Sequence, residues 1–223
     1  MEPLLPRVID GYLDDLVTAQ VYDPVAMEME RRASETGFPI VGRAAGRHLE
    51  RTTRMVGARR VVELGSGFGY SSFWFARGVG ADGEVIGIDN DPDNARMAED
   101  YLRRAGLWDR CSTRTGDALT EFAAIDGAID LVFCDVDKGG YPAVWEAVAD
   151  RLEVGGVFVC DNVLWYGRVA GLAPEDQDPR VARAQAAVAP HVVEMTRQVV
   201  DDPRYMSSIV PIRDGLLVAQ RTG

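Results

Sequence analysis

Residues 60–71 read Arg60-Val61-Val62-Glu63-Leu64-Gly65-Ser66-Gly67-Phe68-Gly69-Tyr70-Ser71. A short apolar run enters three alternating glycines, and a helical stretch, Ser71–Arg77, follows. Glycines between a strand and a helix let the backbone pass close to a ligand. Their spacing is G-x-G-x-G. A dinucleotide fingerprint needs its third glycine where Tyr70 stands, so that pattern fails. Glu63, two residues before the first glycine, is suited to attract a cation such as an amino group or a sulfonium. A second apolar run, Glu84–Ile88, ends at Asp89, whose carboxylate can accept both ribose hydroxyls of a nucleoside.

Outward from this turn, apolar runs and helical stretches alternate. Gly42–Val56 reads as a helix before the first strand. Pro92–Ala105 is a helix opened by Asp91-Pro92-Asp93, suitable chemistry for a first turn. Cys111–Thr115, Ile129–Cys134 and Val157–Cys160 are further strands. A short helix follows Asp117, and Lys138–Leu152 is a helix stopped by Gly155-Gly156. Continuous apolar strands alternating with helices predict a doubly wound, mostly parallel sheet with helices on both faces. Residues 178–200 read as helical with a break at Pro190. Met206–Pro211 and Gly215–Gln220, joined across Asp214-Gly215, predict a closing antiparallel hairpin. Residues 1–35 read as helical, and Thr36–Pro39 ends that pattern.

The 223 residues fit one domain at roughly 150 residues per domain, with 1–40 as an N-terminal helical extension. Charged residues make up 26% and apolar residues 47%, which excludes a disordered chain. The longest uncharged apolar stretch is far shorter than the ~20 residues of a membrane span. The N-terminus lacks a basic start followed by an apolar core, so a cytoplasmic location without membrane association is expected. The net charge of −11 disfavours nucleic acid as a partner. Of the 24 basic residues, 23 are Arg, and Lys138 is the sole lysine. Acid excess with almost no lysine fits adaptation to high salt, and GC-rich coding gives the same replacement. Cys111, Cys134 and Cys160 have neither disulfide nor zinc spacing and read as buried small residues.

A second constellation lies after the fourth and fifth strands. The chain reads Asp135-Val136-Asp137-Lys138-Gly139-Gly140-Tyr141, then Asp161-Asn162-Val163-Leu164-Trp165-Tyr166-Gly167. Ligands of doubly wound sheets bind beyond the carboxyl ends of the strands. The two segments should therefore lie side by side next to the glycine turn. Asp135, Asp161 and Asn162 would then offer three oxygens, a set suited to Mg²⁺ or another hard divalent cation.

VELGSGFGYSS resembles motif I of class I S-adenosylmethionine (SAM) methyltransferases, and Gly116–Leu119 (GDAL) resembles their adenine-contact segment. D-x-D-K-x-x-Y followed by DN-x-L-W-x-G, with the tail Ile209–Leu216, resembles the cation-dependent O-methyltransferases of the caffeoyl-CoA and catechol type. The resemblance runs from about Gly37 to the C-terminus. It implies a Rossmann-like fold, SAM and a divalent cation as cofactors, and metal ligands at Asp135, Asp161 and Asn162. It implies Lys138 as general base, and SAM contacts at Glu63, Gly65, Ser71, Asp89, Asp117, Ala118 and Asp135, with Val41 and Gly42 as an upstream contact. Gly46-Arg47 departs from the Gly-Gln pair of these relatives. The family is often dimeric, so a homodimer through the N-terminal helices is expected.

The chemistry agrees with the resemblance. A phenol, with a pKa near ~10, is mostly protonated at neutral pH. A cation holding two adjacent hydroxyl oxygens lowers that value and fixes the attack geometry. A lysine beside a metal and a sulfonium is expected to have its pKa lowered, which suits it to take the proton. Arg cannot serve in that way. Trp165 and Tyr166 are candidates for the acceptor wall, whereas Trp145 reads as core. Arg43, Arg47, Arg51 and Arg54 recur at helical spacing, either as an anion-binding stripe or as a solvated face paired with neighbours such as Glu50. Leu172–Arg180 is either a lid or an ordinary loop. The function expected is O-methyl transfer to a small, vicinally dihydroxylated aromatic acceptor. The alternatives are a metal-independent methyltransferase acting on RNA or protein, and a SAM-binding module without turnover.

Overall fold

The structure, a computed structural model, describes residues 7–172 and 178–223. Among these residues, seven strands form one sheet in the order β3-β2-β1-β4-β5-β7-β6. They are β1 (Arg60–Leu64), β2 (Glu84–Asp89), β3 (Cys111–Thr115), β4 (Leu131–Cys134), β5 (Val157–Cys160), β6 (Tyr205–Val210) and β7 (Leu216–Arg221). The first five are parallel, and β7 inserts antiparallel between β5 and β6. This is the expected Rossmann-like, doubly wound, mostly parallel sheet with an antiparallel C-terminal hairpin. Strand order reverses between the parallel neighbours β1 and β4, the place where such sheets open a crevice.

Among the described residues, eight α-helices cover the sheet: α1 (Arg7–Gln20), α2 (Pro24–Thr36), α3 (Gly42–Met55), α4 (Tyr70–Gly78), α5 (Pro92–Arg104), α6 (Ala118–Ala123), α7 (Tyr141–Val148) and α8 (Pro179–Asp201). Alternate strand residues serve opposite faces, as the two-residue period requires. Val61, Phe133 and Val159 pack with α2–α5, whereas Val62, Val132 and Phe158 pack with α6–α8. Both faces are therefore dry, which explains why the strands read as unbroken apolar runs. Trp145 is core as expected, packed on Phe158 and Tyr205 with ring centroids 5.2 and 4.8 Å away.

The N-terminal helical region is two helices. Asp23 Oδ1 accepts from Val25 N and Ala26 N at 2.9 and 3.2 Å, and Pro24 opens α2. Such an N-cap with Pro in the first turn restarts a helix after an interruption. Val25, Ala26, Met29 and Ala33 of α2 join the same core as α3–α5. The helix expected over Lys138–Leu152 begins as a 3₁₀ turn at Lys138–Gly140 and becomes α-helical only at Tyr141. Two adjacent glycines there weaken the α-helical turn.

The expected break at Pro190 is absent, and α8 runs through it over 23 residues. Proline removes the bond to the carbonyl four residues earlier. That carbonyl belongs to Ala186, and both residues are exposed, so water can serve it. Gln185 before the proline and Val192, Met195 and Val199 after it are buried, which pins both halves of the helix. Among the described residues, no helix is long and apolar enough to cross a membrane. Of the stretch considered as a lid, residues 173–177 lie outside the described residues.

Candidate active site

The glycine turn sits at the topological switch. Gly65 has φ +85°, and a Cβ there would lie 2.4 Å from the main-chain oxygen of Asp135. Only glycine permits the end of β1 to approach the end of β4 this closely. Gly69, at φ +88°, starts α4. Glu63 is fully buried behind the turn and accepts from the Ser71 and Ser72 hydroxyls. Burial pushes its carboxyl up to about 8 against those two bonds, with Asp135 and Asp89 adding to the rise. Glu63 therefore underpins α4 from below, and Ser71 is the member of that pair that lines the cleft.

Two adjoining cavities open along the carboxyl ends of the strands. One, of about 360 Å³, is lined by Gly65, Asp89, Asn90, Asp117, Ala118 and Asp135. The other, of about 700 Å³, is lined by Val41, Gly65, Ser71, Asp89, Asp135, Lys138, Asp161, Asn162, Trp165 and Tyr166. Gly65, Asp89, Asp135, Val136 and Asp137 belong to both walls, so the two form one cleft. Gly42 stands back from it, against the Arg213 guanidinium, 3.1 Å from where its Cβ would be.

Asp89 holds the turn in place. Its carboxylate accepts from Gly67 N at 2.9 Å, and from Asp91 N and Asn94 Nδ2 at 3.0 Å each. A carboxylate offers about four lone-pair sites, so capacity remains for a ligand hydroxyl. Asp117 caps α6 through Thr120 N at 2.9 Å, and the Thr120 side chain and amide hold its carboxyl below the usual range.

At the other end of the cleft, Lys138 Nζ donates to Asp135 Oδ1 at 2.8 Å and to Val136 O at 3.3 Å. The Lys138 nitrogen also stands 5.2 Å from the Tyr141 ring and 5.9 Å from the Trp165 ring. Burial alone would lower its pKa, but Asp135 and then Asp161 outweigh burial and raise it. These carboxylates act opposite to the metal and sulfonium beside which a lowered pKa is expected. Burial and the charge of Asp135 push Asp161 up to about 7, against Lys138 and the Asn162 amide. Tyr141 anchors this corner by donating to Asp161 O at 2.7 Å.

The segment carrying Asn162, Trp165 and Tyr166 has an uncommon backbone. These three and Arg213 are the non-glycine residues with positive φ among those described, at 56°, 44°, 55° and 55°. For bulky side chains such a conformation costs about 1–3 kcal/mol per residue and persists only where the surroundings impose it. Here the facing β6–β7 turn imposes it. Val163 N donates to Gly215 O at 3.2 Å, Leu164 N to Asp214 O at 2.9 Å, and Tyr166 N to Asp214 Oδ1 at 2.6 Å. Trp165 Nε1 donates to Gln185 O of α8 at 2.7 Å, which sets the indole against the wall.

Asp135, Asp161 and Asn162 thus share one wall of the larger cavity. Two carboxylates and an amide oxygen suit a hard cation. Among the described residues no group of three or more His, Cys, Asp or Glu side chains is arranged to hold a metal. The same wall carries Asp89, Asp135, Asp137 and Asp161 against the single base Lys138, so the cleft favours cationic ligands.

Some lining residues were not singled out in the sequence. Phe38, Pro39 and Ile40 form one side of the mouth, and Ala184, Gln185 and Val188 of α8 form the other. In sequence the first three signal only a helix break. Gln185 is a buried polar residue in a helical pattern, a weak signal without the fold. The arginine stripe lies away from this cleft. Arg43 donates to Glu30 at 2.7 Å, while Arg47 and Arg54 pair with Glu50 at 2.6 and 3.2 Å. Three of the stripe's four arginines are thus paired with carboxylates, and Arg51 Nη2 lies 3.1 Å from His48 Nδ1.

The O-methyltransferase family profile matches residues 19–222. A caffeoyl-CoA O-methyltransferase of Mesembryanthemum crystallinum is 29% identical over 79% of this chain and 70% of its own. A catechol O-methyltransferase of Niastella koreensis is 28% identical over 79% and 81%. The O-methyltransferase TomG of Streptomyces achromogenes, involved in tomaymycin synthesis and solved with SAM, superposes with a TM-score of 0.82. It is 25% identical, with 97% of this chain and 96% of that one covered. The chain belongs to the O-methyltransferase family and is a SAM-dependent O-methyltransferase.

Proposed function

We propose that this enzyme methylates a hydroxyl of a small aromatic acceptor bearing vicinal hydroxyls, with a divalent cation as second cofactor. The carrying observation is the shared cleft: the glycine-turn cavity opens directly onto the wall formed by Asp135, Lys138, Asp161 and Asn162. Gly65 and the glycine turn would hold SAM, with Asp89 placed to accept its ribose hydroxyls and Asp117 and Ala118 to receive its adenine. Asp135, Asp161 and Asn162 would hold the cation, which would lower the pKa of the acceptor hydroxyls.

Trp165 and Tyr166 on one side and Phe38 and Ile40 on the other sandwich an aromatic ring and exclude water. Lys138 takes the phenolic proton. It can do so only as a neutral amine, and Asp135 is the group that keeps it charged. Asp135 drawn to another cation leaves Lys138 without its main stabiliser. The acceptor oxygen then forms its bond to the methyl carbon, the carbon–sulfur pair returns to sulfur, and S-adenosylhomocysteine leaves.

The test is release of S-adenosylhomocysteine with catechol, caffeoyl compounds and unmodified RNA, each with Mg²⁺ or EDTA. Turnover of the diphenols only with Mg²⁺, lost in Asp161→Ala, is the expected result. Methylation of RNA insensitive to EDTA would overturn the proposal.

A further inference from the structure

We propose that Asp214, on the β6–β7 turn, is a positioning residue that holds the Asn162–Gly167 segment in its left-handed form and so shapes the acceptor wall. The proposal rests on the function proposed above, since Trp165 and Tyr166 are its acceptor contacts. Asp214 lines neither cavity. It is 8% exposed, and its Oδ1 takes the Tyr166 amide at 2.6 Å. Its main-chain oxygen takes the Leu164 amide at 2.9 Å. Next to it, Gly215 packs so tightly that a Cβ would lie 2.5 Å from Leu164 Cγ.

The two facing segments hold every positive-φ non-glycine residue among those described. A left-handed Tyr166 is unfavourable on its own, and its amide would be left without a partner if the Asp214 side chain were removed. The other carboxylate oxygen, Oδ2, is buried without a hydrogen-bond partner. An unused buried oxygen is costly, so the carboxylate is retained for the bond at Oδ1 and not for a network around it. Backbone bonds to Leu164 and Val163 survive any side-chain change, so Asp214 acts chiefly on Trp165, Tyr166 and the register of Asn162.

Three variants test this with catechol and S-adenosylhomocysteine as probes. Asp214→Ala should raise the catechol KM at least about tenfold with a smaller change in kcat, the pattern of an acceptor wall that binds less well. The S-adenosylhomocysteine Kd from calorimetry should stay within about twofold, as the cofactor end of the cleft does not touch Asp214. Asp214→Asn keeps an oxygen acceptor and should hold the KM within about threefold of the parent. Hydrogen exchange of the Tyr166 amide in the ligand-free protein should speed up at least about tenfold in Asp214→Ala and little in Asp214→Asn, while β5 amides keep their protection. If Asp214→Ala does not fold, Asp214→Ser, whose oxygen stops one bond short of the amide, carries the same comparison. Equal damage in the Asn and Ala variants, or unchanged KM and exchange in the Ala variant, would overturn the proposal. If the parent enzyme ignores catechol, the proposed acceptor fails, and the exchange measurement still decides the role of Asp214.

Discussion

Lys138 Nζ lies 2.8 Å from Asp135 Oδ1, and that pair sets the resting charge of the reacting end of the cleft. In the ligand-free enzyme the amine is an ammonium held by a carboxylate. Any proton uptake by Lys138 therefore has to follow a change in what Asp135 faces. In the proposed mechanism Lys138 acts as the base only once the cleft is loaded.

Replacing Lys138 by Arg keeps a cation beside Asp135 but removes a group able to give up its proton. Turnover should fall by about 10²–10⁴-fold, the usual size of a general-base contribution. Lys138→Ala should fall in the same range, and S-adenosylhomocysteine affinity should barely move in either. Rates measured from pH 6 to 9.5 should rise with pH in the parent as Lys138 gives up its proton in the loaded cleft, and should be flatter in both variants.

Glu63 makes stability depend on pH. Its carboxyl titrates at about 8 in the folded chain against an ordinary 4.5. Between those values the folded chain keeps a proton that the unfolded chain has lost, so stability falls as pH rises through that window. Glu63→Gln removes the effect. The stability of Glu63→Gln relative to the parent should climb between pH 5 and 8.5, by on the order of 4 kcal/mol for a shift of this size. Urea unfolding of both proteins at the two pH values checks it, and a constant difference would show that Glu63 is ionised throughout.

Gly65→Ala should weaken cofactor binding while leaving a folded protein. The added Cβ would meet Asp135 O at 2.4 Å in a backbone that L residues disfavour. The turn and the end of β4 must part, which moves Asp135 as well. Calorimetry with S-adenosylhomocysteine should show at least about a tenfold weaker Kd, as misplacement of about 1 Å in a preorganised site commonly does.

Pro190→Ala should stabilise the enzyme. The helix already passes through this exposed position, so alanine restores a backbone bond and a better helix former. Extra freedom in the unfolded chain offsets part of the gain. A rise of about 1 kcal/mol, seen as a higher Tm with unchanged turnover, is expected.

Much of this was legible from residues 60–71 and the five apolar runs, because strands buried on both faces leave unbroken patterns. The convergence of Asp135, Asp161 and Asn162 followed from where strands end in such a sheet. Pro190 was misread because local propensity says nothing of the buried residues that hold a helix straight on either side. The left-handed Trp165 and Tyr166 were out of reach for a different reason. Their conformation is set by Asp214, 48 residues away, and no local pattern announces that pairing. The ammonium state of Lys138 likewise depends on Asp135 being nearer than any positive charge.

The chain's single lysine also gives the enzyme an unusually clean chemical handle. An amine-selective acylating reagent has only Lys138 and the α-amino terminus to attack. Mass shifts on the peptide around Lys138 would thus read out ligand occupancy without any engineered tag. Nitrogen-15 labelling at lysine would put one side-chain amine signal in an NMR spectrum, and its chemical shift would follow the proton on that atom as each cofactor is added.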